Sequence, residues 1–235
     1  MSGKTFVLVH GAWHGGWCWR RVADLLQKQG HKVFAPTLTG LGERAHLLGP
    51  GIGLSTHITD VVNVFKCEQL ADVVLCGHSY GGMVISGVAE QLQPTIRSIV
   101  FLDAFMPENG EAIIDLTSAA VQEALRSARE KGAIGIPPRP AAAFGVNEKD
   151  RAWVDAMCGP QPIATFSDPI ALTGARERIG KKAYIRARSY ENPGFDRALA
   201  RTSGDPSWRV YEVPSGHDVM VDMPERLTEI LLEVA

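Results

Sequence analysis

The sequence predicts an α/β protein in which a mostly parallel sheet of about six strands is flanked by helices. Two observations lead to this class. Short β-rich apolar segments alternate with helical segments along most of the chain, and the first strand, Thr5–Val9, is an unbroken apolar run. Such a run is typical of a strand that is buried on both faces. Alternation of strand and helix places the strands in parallel, with the connecting helices on both faces of the sheet.

The elements follow from local signals. The predicted strands are Thr5–Val9, 33–35, 71–76, 97–103, 182–187 and Trp208–Val213. The predicted helices are 17–29, about 56–69, 82–92, 195–201 and Pro224–Val234. Gly30 ends the first helix, Pro36 ends the second strand, and Pro224 suits the first turn of the last helix. A glycine-rich loop is expected over 40–53.

Residues 107–180 interrupt the alternation. This segment contains helical stretches, a proline-rich run at 136–140 and a loop at 158–162, and no strong strand signal. We therefore predict a helical cap or lid, inserted after the strand that ends at Asp103. The core would be formed by residues 1–106 and 181–235, and the whole chain would make one structural domain.

The composition excludes several classes of function. The 235 residues are 45% hydrophobic and 21% charged, with a formal net charge of −2, which is ordinary for a globular protein and does not favour nucleic acid or a membrane surface as partner. No signal peptide and no apolar run of about 20 residues is visible, so a cytoplasmic location is expected. The four cysteines form no C-x-x-C pair. Reduced thiols are expected, without disulfides or a zinc site.

The pentapeptide 77–81 carries the strongest functional signal. It reads Gly-His-Ser-Tyr-Gly and lies between a predicted strand and a predicted helix. A G-x-S-x-G sequence in that context is typical of a nucleophile elbow, a sharp turn that holds a serine hydroxyl above the sheet. The alternative is a purely structural turn. The strand and the helix on either side favour the elbow, with Ser79 as nucleophile.

A serine needs a base to accept its proton, and histidine suits this role because its pKa lies near neutrality. Among seven histidines, His217 follows the last strand and precedes the last helix, on the side of the sheet where Ser79 emerges. His78 adjoins Ser79 and is interpreted as a supporting residue. The surface or a loop is expected for His31, His46 and His57, and the pocket mouth or solvent for His14.

The loop after the first strand, which begins at His10, predicts an oxyanion site. Attack on a carbonyl creates an oxyanion, and one backbone donor aimed at it is worth about 3 kcal/mol. The expected donors are the amides of Tyr80, next to the nucleophile, and Ala12. The alternatives are a flexible turn or a phosphate-binding loop, and neither phosphate-loop pattern is present in this stretch.

These residues carry a family resemblance. The stretches 6–17, 77–82 and 216–218 resemble an α/β-hydrolase of the plant methylesterase and hydroxynitrile lyase group and its bacterial esterase relatives. Within that group, the lyases are expected to have threonine after the first-strand histidine and lysine after the catalytic histidine. This chain has Gly11 and Asp218 there, so the resemblance implies ester hydrolysis.

The acid of the triad departs from the family pattern. The resemblance implies an aspartate in the loop after strand 182–187, where this chain has Tyr190. Three candidates remain. Asp103 is ranked first because some α/β-hydrolases carry the acid at the end of that strand; its alternative is a structural role, paired with a nearby backbone amide or arginine. Glu191 is ranked second, and Asp196 has a helix N-cap as its simpler explanation.

The sequence therefore predicts a cofactor-independent serine carboxylesterase that acts on a small or aromatic ester. No metal is expected, the expected partner is the small-molecule ester, and a homodimer is the assembly considered. Trp13, Phe105 and Trp153 are predicted to bind the substrate, and Tyr80, Phe144 and Phe166 are further candidates for the pocket wall. The alternatives are a ligand sensor on a hydrolase scaffold, or a lactonase, C–C hydrolase or acyltransferase with the same triad.

Overall fold

The computed structural model describes residues 3–117 and 119–235. Its main sheet has six strands in the order β2-β1-β3-β4-β7-β8, and every neighbouring pair is parallel. The predicted fold class is confirmed. The strands of the chain are β1 Thr5–Val9, β2 Lys32–Phe34, β3 Val73–His78, β4 Ile96–Leu102, β5 Gly135–Ile136, β6 Gln161–Pro162, β7 Lys181–Ala187 and β8 Trp208–Val213.

The helices that connect and cover the strands are α1 Arg20–Lys28, α2 Leu54–Cys67, α3 Gly81–Leu92, α4 Ala119–Glu130, α5 Glu148–Met157, α6 Ala164–Ser167, α7 Pro193–Ser203, α8 Val219–Asp222 and α9 Pro224–Val234. The first helix is shorter than the predicted range 17–29, because a 3-10 turn at Gly16–Trp19 precedes α1. Among the described residues, no helix combines the length and apolar character that a membrane span requires.

Successive side chains of the central strands pack into two separate apolar layers, one on each face of the sheet. In β1, Val7 and Val9 pack with α2 and α3, whereas Phe6 and Leu8 pack with α1 and α9 on the opposite face. A strand sends successive side chains to opposite faces, so a run that is apolar throughout must be covered on both. The sheet is thus held rigidly, and the carboxyl ends of its strands form one fixed edge.

Segment 104–180 runs across that edge. It contains α4, α5 and α6, together with a short antiparallel pair, β5 with β6, where no strand was expected. These strands are two residues long, too short for a periodicity signal. Residues from α4 and β5 face the cavity that also contains Ser79. The division into core and cap stays a prediction.

Candidate active site

Ser79 sits at the sharp turn between β3 and α3. Its φ angle is 54°, in the left-handed region that residues other than glycine rarely adopt. The turn is tight: a Cβ on Gly77 would lie 2.6 Å from the carbonyl oxygen of Gly81. Strain of this kind persists only where the surrounding structure enforces it, which makes the turn a candidate functional feature.

Asp103 follows β4 and contacts His217, which follows β8. The Nδ1–H of His217 donates to Oδ2 of Asp103 at 2.6 Å. The other carboxylate oxygen, Oδ1, accepts from Nη1 of Arg186 at 2.6 Å and from the amide of Ala187 at 3.0 Å. The φ angle of Asp103 is 41°, a second left-handed residue at this edge of the sheet. Three donors therefore fix the carboxylate, and one of them is the histidine.

The two other candidates for the acid, Glu191 and Asp196, do not contact His217. Glu191 lines the cavity, but no hydrogen bond joins it to His217 in the part of the chain that the structure describes. Asp196 is 56% exposed and pairs with Arg186, with Nη2 to Oδ1 at 2.8 Å. The N-cap of α7 is Asn192, whose side chain accepts from the amide of Gly194. Asp103 is the candidate that contacts the histidine.

Aromatic rings hold His217 in place. Its imidazole stacks on Tyr190 and Phe195, with ring centroids 4.6 and 5.2 Å away. Its backbone amide donates to the carbonyl of Phe144 at 2.8 Å. The position where the family resemblance placed an acid therefore presents an aromatic wall to the imidazole.

Ala12 and Tyr80 line the cavity together with Ser79. Among the turn, loop and side-chain hydrogen bonds of the described residues, neither amide donates to a protein acceptor. The loop beyond Ala12 is tied down, because the amide of Trp13 donates to Oε1 of Gln161 at 3.0 Å and its Nε1 donates to the carbonyl of Ile136 at 3.0 Å. The two amides can serve a ligand oxygen.

His57 is buried, and its expected place at the surface or in a loop was wrong. Its Nε2–H donates to the carbonyl of Thr39 at 2.9 Å, so Nδ1 accepts the hydroxyl proton of Tyr80 at 2.8 Å. Burial lowers the pKa of His57 to about 4, which keeps the ring neutral. This hydrogen bond anchors the residue that follows Ser79.

His14 also is buried, and its expected place at the pocket mouth or in solvent was wrong. Its Nε2 lies 3.1 Å from Oδ2 of Asp218, and its Nδ1 lies 2.8 Å from the carbonyl oxygen of Ala12. Burial alone would lower the pKa of His14, but the Asp218 carboxylate outweighs it and raises that pKa well above 6.5. The pKa of Asp218 is lowered, since His14 outweighs the effect of burial there too.

A cavity of about 640 Å³ opens over Ser79 and His217. Trp13 and Phe105 line it, as do the further candidates Tyr80, Phe144 and Phe166. The prediction for Trp153 was wrong. Its ring packs on Trp17 at a centroid distance of 5.1 Å and lies under the guanidinium of Arg21, and it does not line the cavity. An aromatic residue on a helix gives no sequence signal that separates these two environments.

Gly11 has no room for a side chain, because a Cβ would lie 2.9 Å from Cβ of Ser79 and 2.8 Å from Nδ1 of His78. We expect Gly11→Ala to displace the serine and lower kcat by about 10²-fold, as misplacement of a reacting group by about 1 Å does. Gly51→Ala, with open space around its Cβ, is the matched control. Unchanged ester turnover in Gly11→Ala would contradict the tight packing of this turn.

The chain belongs to the alpha/beta hydrolase family, whose family model matches residues 6–230. The resemblance to this family is thereby confirmed.

Among its relatives, a carbendazim hydrolyzing esterase from Nocardioides sp. (strain SG-4G) is 45% identical over 97% of this chain and 98% of its own length. Salicylic acid-binding protein 2 from Nicotiana tabacum is 38% identical over 100% of this chain and 98% of its own. A solved extracellular alpha/beta-hydrolase from a Paenibacillus species superposes with a TM-score of 0.86 at 25% identity, covering 99% of both chains. These relatives support esterase activity as the class of reaction.

Proposed function

We propose that this protein is a serine carboxylesterase in which Ser79 is the nucleophile, His217 the general base and Asp103 the acid. The observation that carries the proposal is the 2.6 Å hydrogen bond from Nδ1 of His217 to Asp103, at a cavity that also contains the strained Ser79. The bond fixes the proton on Nδ1, so the Nε2 of the neutral ring is free to accept a proton.

Acylation begins with attack of the Ser79 hydroxyl oxygen on the ester carbonyl carbon. The hydroxyl proton passes to Nε2 of His217, and the carbonyl π electrons move onto the oxygen. The amides of Ala12 and Tyr80 stabilise this oxyanion. When the tetrahedral intermediate collapses, the bond to the leaving oxygen breaks and His217 gives that oxygen its proton. An alcohol leaves, and the acyl group stays on Ser79.

Deacylation repeats the sequence with water as nucleophile. His217 takes a proton from water, the resulting hydroxide attacks the acyl carbon, and Ser79 leaves with the proton that His217 returns. Asp103 keeps the imidazole oriented and stabilises its charged form in both halves. Arg186 and the amide of Ala187 hold the carboxylate against rotation from the other side.

The cavity supports a small or medium-sized apolar ester as substrate. Its volume of about 640 Å³ is typical of pockets for small molecules, and its wall is mainly aromatic and aliphatic. Trp13 and Phe105 are proposed to contact the substrate. Carbendazim belongs in the test panel, since a relative that is 45% identical is named for its hydrolysis.

Steady-state hydrolysis of p-nitrophenyl acetate and butyrate tests the proposal. We expect continuous release of p-nitrophenol over many turnovers, because water has access to an acyl group held in an open cavity. Methyl, aryl and bulky esters, lactones and carbendazim then define the preferred substrate. One equivalent of p-nitrophenol followed by negligible turnover would contradict an esterase and favour a ligand sensor on the same scaffold.

A further inference from the structure

Five buried histidines surround the proposed site, and four of them have partners that a neutral ring can serve. His10 donates to the carbonyl of Gly11 and accepts the amide of Leu38. His57 donates to the carbonyl of Thr39 and accepts from the hydroxyl of Tyr80. The Nε2–H of His78 donates to the carbonyl of His217 at 3.1 Å. Neutral rings of this kind carry one donor and one acceptor nitrogen.

His14 differs, because both of its ring nitrogens face acceptors. Nδ1 lies 2.8 Å from the carbonyl oxygen of Ala12, and Nε2 lies 3.1 Å from a carboxylate oxygen of Asp218. Neither oxygen can donate when Asp218 is ionised, so both ring nitrogens must carry protons. The ring is thus an imidazolium, charge-paired with a carboxylate that is itself fully buried.

The two acceptors belong to two different parts of the proposed catalytic apparatus. Ala12 supplies one of the proposed oxyanion amides, and Asp218 directly follows His217 in the chain. His14 is also held from the side, since its ring stacks on Trp17 at a centroid distance of 5.3 Å. The imidazolium therefore connects the loop after β1 to the loop after β8.

We propose that His14 is a positioning residue, protonated at neutral pH, that fixes the Ala12 amide relative to His217. The catalytic part of this inference rests on the proposed function. The protonation of the ring does not. The charged donor fixes the Ala12 carbonyl and with it the peptide unit between Ala12 and Trp13. This restrains the adjoining Gly11–Ala12 unit, which carries the Ala12 amide and whose carbonyl accepts from His10.

The groups around His14 determine the pH range in which its ring stays protonated and bound to both Ala12 and Asp218. The titratable groups that face the His14–Asp218 pair from the elements packed around it are His10, His78, His217, Asp222, Cys18 and Cys158. Burial lowers the pKa values of His10 and His78 and raises that of Cys18, so these three are uncharged at neutral pH. The pKa of His14 itself is raised. The connection is intact at neutral pH and is lost as the pH rises through that raised pKa.

Nitrogen-15 NMR of histidine-labelled protein at pH 7 tests the protonation directly. We expect both ring nitrogens of His14 to carry protons in the wild type. In Asp218→Asn we expect only one, because the amide of the new side chain can donate to Nε2. The resonance is assigned by its loss in His14→Gln. A singly protonated His14 ring in the wild type would overturn the inference whether or not the protein hydrolyses esters.

Kinetics of His14→Gln test the positioning role. The glutamine amide reaches the Nε2 position and can still donate to Asp218, but it leaves the Ala12 carbonyl without a donor. We expect kcat to fall by about 10–100-fold with KM little changed, less than the ~10²–10³-fold that follows removal of an oxyanion donor. The alkaline fall of kcat that belongs to His14 should also disappear. The exposed His46→Gln is the matched control.

The amide resonance of Ala12 provides a readout that is independent of activity. It should shift in His14→Gln and stay unchanged in His46→Gln. An unmoved Ala12 amide, or wild-type kcat in a folded His14→Gln protein, would overturn the positioning role. If the wild type hydrolyses no ester, the proposed function fails, and the ring protonation and the Ala12 resonance still decide this inference.

Discussion

Replacement of Ser79 by alanine is expected to abolish ester turnover, with a loss on the order of 10⁶-fold in kcat, the size reported for removal of a serine nucleophile. The reason is chemical: His217 and the oxyanion amides remain, but no side-chain oxygen is left to form the acyl-enzyme. The measurement is p-nitrophenyl butyrate hydrolysis at enzyme concentrations high enough to detect residual activity.

Ser55→Ala is the matched control for this change, because Ser55 is an exposed serine near the start of α2. Both variants should keep the circular dichroism spectrum and melting temperature of the wild type. No side-chain hydrogen bond to protein involves the Ser79 hydroxyl in the described part of the chain, so its removal leaves no hydrogen-bond partner unsatisfied. Retention of wild-type turnover in Ser79→Ala would reject the nucleophile assignment.

Asp103→Asn is expected to lower kcat by about 10⁴-fold, as loss of the orienting carboxylate does in other triads. The amide oxygen of asparagine would stay with Arg186 and the amide of Ala187, which are both donors. Its NH₂ group would then face Nδ1 of His217 and force the ring into the tautomer with the proton on Nε2. A ring in that tautomer cannot accept the proton of Ser79.

Glu191→Gln is the matched comparison, since Glu191 lines the same cavity without contacting His217. We expect a change of less than about threefold in kcat, because no proton or charge of the proposed mechanism lies on this residue. Asp103→Asn should still fold, since Arg186 keeps its contact with Asp196. A large loss in Glu191→Gln, together with near-normal Asp103→Asn, would reverse the assignment of the acid.

The sheet and its order of elements could be predicted because their signals are local. An unbroken apolar run such as Thr5–Val9 has to be buried on both faces, which places the strand between two layers of helices. In contrast, β5 and β6 are separated in the chain by α5 and pair only in the folded structure, and two-residue strands leave no period to detect.

Those parts of the site that depend on a sequence motif or on the order of elements in the chain were predictable. The elbow of Ser79 and the position of His217 after the last strand are fixed by local sequence. The pairing of Asp103 with His217 depends on how two loops distant in sequence meet in space, so the sequence ranked the acids without deciding between them. His14 and His57 were misplaced for a related reason: a histidine in a turn or on a helix looks the same whether it faces water or a buried partner.

The most direct test of the account is to find the acyl group itself. Protein quenched with acid during turnover of p-nitrophenyl butyrate is digested and its peptides are weighed by mass spectrometry. We expect a butyryl group on the peptide that contains Ser79, and none on that peptide from Ser79→Ala. A butyryl group found reproducibly on another residue, or continuous turnover with no acylated peptide at any quench time, would contradict a serine esterase centred on Ser79.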